Sequence, residues 1–213
     1  MYDARHVRWL KAQFEAKCRV PFRFICLTDV EIDGIETIPL SLPERDAPGW
    51  WSQVEFYRDL WPKGASVLTC DLDTVLFGEF TPHRCPDGEF FMLREAGNWY
   101  KSGWAAWGGG LTYFRGDFSF IPRAYEEDTA RGGQASPPFN CIGPQEFVTS
   151  CLRANGLYPK DIESHFCVGY YQGKPDSLRP ETQFAVFPGD PKPWEIAPRP
   201  AWVPEFPIKK EEG

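Results

Sequence analysis

Two aspartates one residue apart are the residues of this sequence best suited to chemistry. Asp71 and Asp73 follow the run Ser66–Cys70, which is predicted to form a buried strand. Because side chains alternate along a strand, this spacing directs both carboxylates to the same side, where they can bind one hard cation. Buried carboxylates repel each other unless a cation or a proton compensates their charge. The pair therefore indicates a divalent metal site at the carboxyl end of a strand.

Helices and strands alternate around this pair. Apolar residues recur with helical spacing from about residue 4 to 17 and from 50 to 60, and further helices are predicted near 118–130 and 144–155. Besides the strand before Asp71, extended segments are predicted at Phe22–Leu27, Thr37–Leu40, Glu89–Leu93 and Leu111–Arg115. This order predicts an α/β domain. From Pro188 onward, seven prolines in twenty residues predict an extended tail that packs on the domain surface.

Composition narrows the class of protein. The 213 residues suit one domain, and the net charge of −7 disfavours binding of nucleic acid through bulk positive charge. The seven cysteines include no C-x-x-C pair, so neither a zinc ribbon nor a regular disulfide framework is indicated. No apolar run approaches the ~18 residues of a membrane span. These features predict a soluble cytoplasmic protein without a transmembrane segment.

The aspartate pair has two further interpretations. A single aspartate at a strand end commonly only caps a turn, although two at this spacing are harder to explain in that way. The segment Asp71–Leu76 also resembles the D-x-D-x-T/V-L motif of haloacid-dehalogenase-like phosphatases, which implies Asp71 as an aspartyl nucleophile and Asp73 as a general acid. That family supplies a later lysine and a paired-acid motif, for which only Gly189–Asp190 is similar here.

A second resemblance covers nearly the whole chain. Its segments are, in order, Pro21–Asp29, Gly34–Ile35, Ile38–Leu40, Pro48–Trp51, Ser66–Val75, Gly108–Asp117 and Phe187–Trp194. Together they resemble nucleotide-sugar-dependent glycosyltransferases of the GT-A fold, in particular small glycogenin-related bacterial and phage members. The resemblance implies an α/β, Rossmann-like GT-A fold, with a mixed, mainly parallel sheet flanked by helices. Residues 1–187 would form a single domain and residues 188–213 its proline-rich tail.

The resemblance also implies an activity and its site. The chain would be a hexosyltransferase-like enzyme that moves a sugar from a UDP- or GDP-linked donor to a glycan, lipid, protein or modified nucleic acid acceptor, with Mn²⁺ or Mg²⁺. Asp73 would bind the metal, Asp71 would share it or bind the ribose, and Lys192 would meet the phosphates. Further donor-binding residues would be Asp29 near the base and Gly109, Gly110 and Gly189. Gln145 and Glu146 would be the catalytic residues.

Four positions differ from the pattern of that family. The family's first strand has no counterpart before the helix at residues 4–17, and Gln53 stands where a lysine is common. Pro144 replaces an aspartate before Gln145, which leaves Glu146 as its substitute. In that family the third metal ligand is a histidine just before the glycine of the last matching segment. This sequence has no histidine there, so His165 is the remaining histidine candidate. A catalytically inactive binding protein of this fold is therefore the alternative to an enzyme.

Overall fold

The computed structural model describes residues 2–42, 49–94, 107–130, 141, 143–171, 178–187 and 189–207. The helices are α1 (Ala4–Lys17), α2 (Phe120–Ala130) and α3 (Pro144–Ala154), and 3₁₀ helices include Gly49–Tyr57, Ile162–Ser164 and Pro193–Glu195. The strands are β1 (Ile25–Leu27), β2 (Glu36–Ile38), β3 (Val67–Cys70), β4 (Val75–Leu76), β5 (Phe90–Arg94), β6 (Trp107–Phe114), β7 (Lys160–Asp161), β8 (Val168–Tyr170) and β9 (Phe184–Val186). No helix in these ranges is long and apolar enough to cross a membrane.

Helix α1 has a well-defined beginning. The side chain of Asp3 accepts a hydrogen bond from the backbone N–H of Arg5, and His6 Nδ1 accepts one from the N–H of Asp3, each at 2.9 Å. This reciprocal arrangement satisfies backbone donors that have no partner inside the helix. Leu10 and Phe14 lie on its buried face. The predicted helix from residue 4 to 17 is confirmed.

Three separate sheets are formed by the described strands. The largest has the order β3-β6-β5-β7, in which β6 runs antiparallel to both β3 and β5, while β7 is parallel to β5. Strands β1 and β2 form a parallel pair, and the third sheet has the order β4-β9-β8. The α/β class is confirmed. The expected predominance of parallel pairing is wrong for the described strands, because three pairings are parallel and three antiparallel.

The largest sheet is covered on both faces. Alternation along β5 and β6 places Phe90, Met92 and Phe114 in one core cluster with α2, α3 and the 3₁₀ helix Gly49–Tyr57. Phe91 and Tyr113 belong to the other cluster, with residues of α1, β8 and β9. The sheet is thus a rigid layer between two cores, and the carboxyl end of β3 is fixed relative to the 3₁₀ helix and α3.

The segment from 189 to 207 packs onto the body of the protein. Its apolar side chains, Trp194, Ile196, Trp202, Val203 and Phe206, share a cluster with Trp9, Val75, Tyr171, Ala185 and Phe187. Apart from the short 3₁₀ helix Pro193–Glu195, this segment has neither helix nor strand. We refer to residues 189–207 as the tail. Its docking on α1, β4 and β9 brings Lys192 towards the end of β3.

Candidate functional site

The aspartate pair lies in a tight turn at the end of β3. The N–H of Asp71 donates to the carbonyl oxygen of Gly110 at 2.9 Å, which extends the pairing of β3 and β6 by one step. The N–H of Thr74 donates to the carbonyl oxygen of Asp71 at 3.0 Å and closes the turn. The predicted strand leading into the pair is therefore confirmed. The turn between β3 and β4 fixes the backbone on which both carboxylates stand.

Asp73 is held by residues that are distant in sequence. Its side chain is only 9% exposed, and Oδ2 accepts hydrogen bonds from the Tyr2 hydroxyl at 2.9 Å and from Lys192 Nζ at 2.7 Å. The pKa of Tyr2 is raised well above its usual range, mainly because the phenol is buried and secondly because the Asp73 carboxylate is negative. The phenol therefore stays protonated and remains a hydrogen-bond donor. The residues before α1 and the tail thus meet at one carboxylate oxygen.

Asp71 is less well compensated. Its Oδ1 accepts a hydrogen bond from Gln53 Nε2 at 2.8 Å. Burial and then the charge of Asp73 raise the pKa of Asp71 to about 6, while Lys192 and the Gln53 hydrogen bond oppose the rise. At neutral pH, two carboxylates face the single ammonium of Lys192 within the described part of this site. The local excess of negative charge favours a cation.

A cavity of about 190 Å³ opens beside Asp71. Its polar lining comes from Gln53, Asp71, Thr74, Gln145 and Tyr170, and the apolar lining from Leu93, Val186 and Phe187. The Thr74 side chain is 1% exposed, and its hydroxyl has no hydrogen-bond partner among the described residues. A buried hydroxyl without a partner is costly in a folded protein unless a ligand or water completes its hydrogen bonds. The mixed lining is typical of a small-molecule site.

Glycines of β6 form one wall of the cavity. A Cβ atom on Gly110 would lie 3.1 Å from Asp71 Oδ2, and one on Gly109 would lie 3.0 Å from Gln53 Oε1. The backbone of β6 therefore lies directly against the side chains of Asp71 and Gln53, which are hydrogen-bonded to each other at the end of β3. Both glycines were expected at the donor site, and both line this cavity with Asp71.

Replacing Gly110 by alanine is expected to displace the Asp71 carboxylate by a few tenths of an ångström and to weaken Mn²⁺ binding about tenfold. Isothermal titration with MnCl2 measures this change. Gly49→Ala is the matched control, because a Cβ atom there meets no atom of the described residues within 4 Å. Equal Mn²⁺ affinity in the Gly110 variant and the wild type would contradict the placement of Asp71 in a cation site.

The aspartates fit a divalent cation. Mg²⁺ in proteins is commonly held by one or two carboxylates, with the remaining positions filled by water and substrate phosphates. Among the described residues, however, no group of three or more His, Cys, Asp or Glu side chains could hold a metal ion. A cation at Asp71 and Asp73 would therefore need oxygen ligands from water or from a bound diphosphate.

The structure does not bring His165 to the aspartate pair. Its ring lies edge-on to Phe91 and Tyr113, with ring centroids 4.3 and 5.5 Å away. It lines a different cavity, of about 280 Å³, together with Cys167 and Arg179. The cause is the 3₁₀ helix Ile162–Ser164, which follows β7 and places the imidazole over the opposite part of the sheet. His165 as the third metal ligand is therefore not supported by this arrangement.

The remaining expected site residues fall into two groups. Gln145, at the start of α3, lines the cavity with Asp71, whereas Glu146 is not among the cavity-lining residues and lies in the first turn of α3. Asp29 is exposed on the loop after β1 and also does not line the cavity. Gly189 is exposed and has a left-handed backbone, with φ of +79°, three residues before Lys192. Of the expected residues, Gln145 lines the cavity and Lys192 contacts Asp73.

Two contributors to the site were not predicted from the sequence. Tyr2 contacts Asp73 across 71 positions of the chain, and no local pattern marks such a contact. Thr74 directly follows the aspartate motif, and a hydroxyl next to two carboxylates was the available signal. Gln53, recognised only as the replacement of an expected lysine, is the hydrogen-bond donor to Asp71.

Comparisons with known proteins identify no relative of this chain. No protein-family model matches the sequence, no curated protein matches it, and no solved structure matches the fold. The assignment of a function therefore depends on the residues and the geometry described above.

Proposed function

We propose that this protein is a glycosyltransferase that moves a sugar from a nucleoside diphosphate sugar to an acceptor. The observation that carries the proposal is the meeting of Asp71, Asp73 and Lys192 beside a small polar cavity. Two carboxylates and an ammonium are the charges needed to hold a cation and a diphosphate together. The GT-A-like sequence pattern supports the same function.

The diphosphate would be the leaving group of the reaction. Asp71 and Asp73 would hold Mn²⁺ or Mg²⁺, which supplies positive charge as the bond between sugar and phosphate breaks. Lys192 would contribute a second positive charge next to the phosphates, from a side chain that is already directed at Asp73. Tyr2 keeps Asp73 in place through its hydroxyl. The carboxylates therefore position the donor and do not form a covalent bond to it.

The cavity beside Asp71 would take the transferred sugar. Its volume of about 190 Å³ corresponds to roughly six water molecules, a space of the size of one monosaccharide. Gln145 would bind sugar hydroxyl groups, and Phe187 would cover an apolar face of the ring. The glycine wall of β6 would allow the sugar to approach the backbone closely. The donor base, UDP or GDP, and the acceptor are open.

Calorimetric titration tests the proposal with UDP, GDP and their glucose, galactose and mannose conjugates, each with and without Mn²⁺. Donor binding that requires Mn²⁺ and is lost in Asp73→Ala is the expected result. Asp87→Ala is a suitable control, because Asp87 is an exposed aspartate outside the cavity lining. Release of UDP or GDP from the bound donor, measured in the same samples, separates an active enzyme from a protein that only binds.

Other outcomes would favour the alternatives. Metal-dependent binding without any turnover would favour a catalytically inactive sugar-nucleotide-binding protein. Hydrolysis of a generic phosphate ester that is lost in Asp71→Asn would favour the phosphatase with Asp71 as nucleophile. Absence of binding to every donor tested would contradict the glycosyltransferase proposal.

A further inference from the structure

The two donors that hold Asp73 differ in charge. Tyr2 offers a neutral hydroxyl and Lys192 an ammonium, and both donate to the same oxygen, Oδ2. An ammonium next to a carboxylate repels a second cation that approaches the same group. A neutral hydroxyl has no such effect. The contact of Lys192 should therefore weaken cation binding, whereas that of Tyr2 should not.

We propose that Lys192 is an internal counter-cation of Asp73, which a divalent cation has to displace before it can bind. This inference rests on the proposed function in one respect: the diphosphate of a donor would give the displaced ammonium a new anionic partner. Cation and diphosphate would then bind cooperatively. The cation would release the ammonium from Asp73, and the diphosphate would bind the ammonium that has been released. Lys192 would thus favour joint occupation of the site by the metal and the donor over occupation by either one alone.

The geometry allows the side chain of Lys192 to move while its backbone stays fixed. The N–H of Lys192 donates to Glu195 Oε2 at 2.8 Å, at the start of the 3₁₀ helix Pro193–Glu195. Trp194 packs against His6 and Phe206, with ring centroids 4.6 and 5.2 Å away. The Lys192 side chain is 25% exposed, so its flexible carbon chain has solvent on one side. Exchange of the ammonium between Asp73 and a phosphate therefore requires no unfolding of the tail.

Titration with MnCl2 alone tests the displacement. Lys192→Gln is expected to bind Mn²⁺ about tenfold more tightly than the wild type, since the competing charge is gone. Lys192→Arg keeps the charge and should show no such gain. Lys11→Gln removes an equal charge from a partly exposed ion pair with Glu15 and controls for the change in net charge. Circular dichroism of each variant verifies that it is folded.

Tyr2→Phe distinguishes charge from hydrogen bonding at the same oxygen. It frees a contact to Oδ2 without removing a charge, so the Mn²⁺ affinity should stay equal or fall. Tyr158→Phe, on a residue that is 70% exposed, is its matched control. An equal or lower Mn²⁺ affinity in Lys192→Gln would overturn the proposal, and so would a gain in Tyr2→Phe as large as that in Lys192→Gln.

A second titration measures the cooperativity. Saturating UDP or GDP should raise the Mn²⁺ affinity of the wild type several-fold more than that of Lys192→Gln. Equal enhancement in both proteins would overturn the cooperative part. If neither nucleotide binds, the proposed function fails, while the titration with MnCl2 alone still decides whether Lys192 is a counter-cation.

Discussion

Replacing Asp71 by asparagine is expected to stabilise the protein at neutral pH and to lower the proposed sugar transfer by at least about 10²-fold. The amide can still accept the hydrogen bond from Gln53, but it carries no charge to hold a cation. Wild-type Asp71 is ionised at pH 7 in a place that disfavours the charge, since burial and Asp73 both raise its pKa. Removing that charge should therefore stabilise the folded protein, at the expense of the proposed cation site.

The pH dependence of this stabilisation has a definite sign. The pKa of Asp71 is about 6 in the folded protein and about 3.9 in an unfolded chain, so the folded state binds the proton more tightly. Stability from that proton is fully present below pH 4 and is lost as the pH rises through 6. At pH 7.5 the ionised carboxylate should cost on the order of 2 kcal/mol of unfolding free energy. Asparagine avoids this cost.

Thermal unfolding of both proteins at two pH values measures the effect. At pH 7.5, Asp71→Asn should have a melting temperature roughly 4 °C or more above that of the wild type, and below pH 4 this advantage should vanish. Asp33→Asn, at an exposed position, is the control. A lower melting temperature of Asp71→Asn at pH 7.5 would contradict the conclusion that the charge of Asp71 is incompletely compensated.

Replacing Trp194 by alanine is expected to lower the proposed sugar transfer about 10²-fold through misplacement of Lys192. The indole ring packs against Tyr2, His6 and Trp9, so it joins the two chain segments that meet at Asp73. Its removal should also reduce the free energy of unfolding by about 2–4 kcal/mol, because a large aromatic contact is lost. Steady-state kinetics with the donor identified by calorimetry, and denaturation by urea, measure the two effects.

A matched variant separates the two effects of Trp194→Ala. Trp61 is also partly buried, and its indole N–H donates to the carbonyl oxygen of Phe56 at 2.8 Å, in the cluster on the other face of the sheet. Trp61→Ala should reduce stability without changing the kinetic constants of the proposed transfer in the folded protein. If both variants lose transfer to the same degree, the loss comes from general destabilisation and Lys192 has no special dependence on Trp194.

Local signals in the sequence were sufficient for much of the framework. The apolar spacing of α1 and its N-cap at Asp3 are encoded within a few residues, and the strand before Asp71 is marked by an apolar run that ends in polar residues. Helix α3 was predicted at 144–155 and spans Pro144–Ala154. Strands β4, β7, β8 and β9 were not predicted, because two or three residues carry little periodicity. The equally short β1 and β2 overlap the longer segments Phe22–Leu27 and Thr37–Leu40, which were predicted to be extended.

The contacts that complete the site were beyond such signals. The hydrogen bond of Tyr2 to Asp73 depends on how α1 packs, and the ion pair of Lys192 depends on how the tail docks. Lys192 was expected near phosphates only through a family resemblance, which does not specify its contact with Asp73. His165 illustrates the converse case, since residue type made it a candidate ligand while the 3₁₀ helix after β7 places its ring against Phe91.

The joining of Asp73 to Tyr2 and Lys192 also has a consequence for folding. These contacts close loops that span 71 and 119 positions, whereas β5 and β6 are neighbours in the sequence. Loops of that length cost more entropy to close, so the nearby strands can pair before the tail docks. For the same reason, the tail should be among the first segments to detach when the native protein opens locally. The candidate site is thus expected to form late in folding. It is complete only when the segments at both ends of the described chain have reached their native positions.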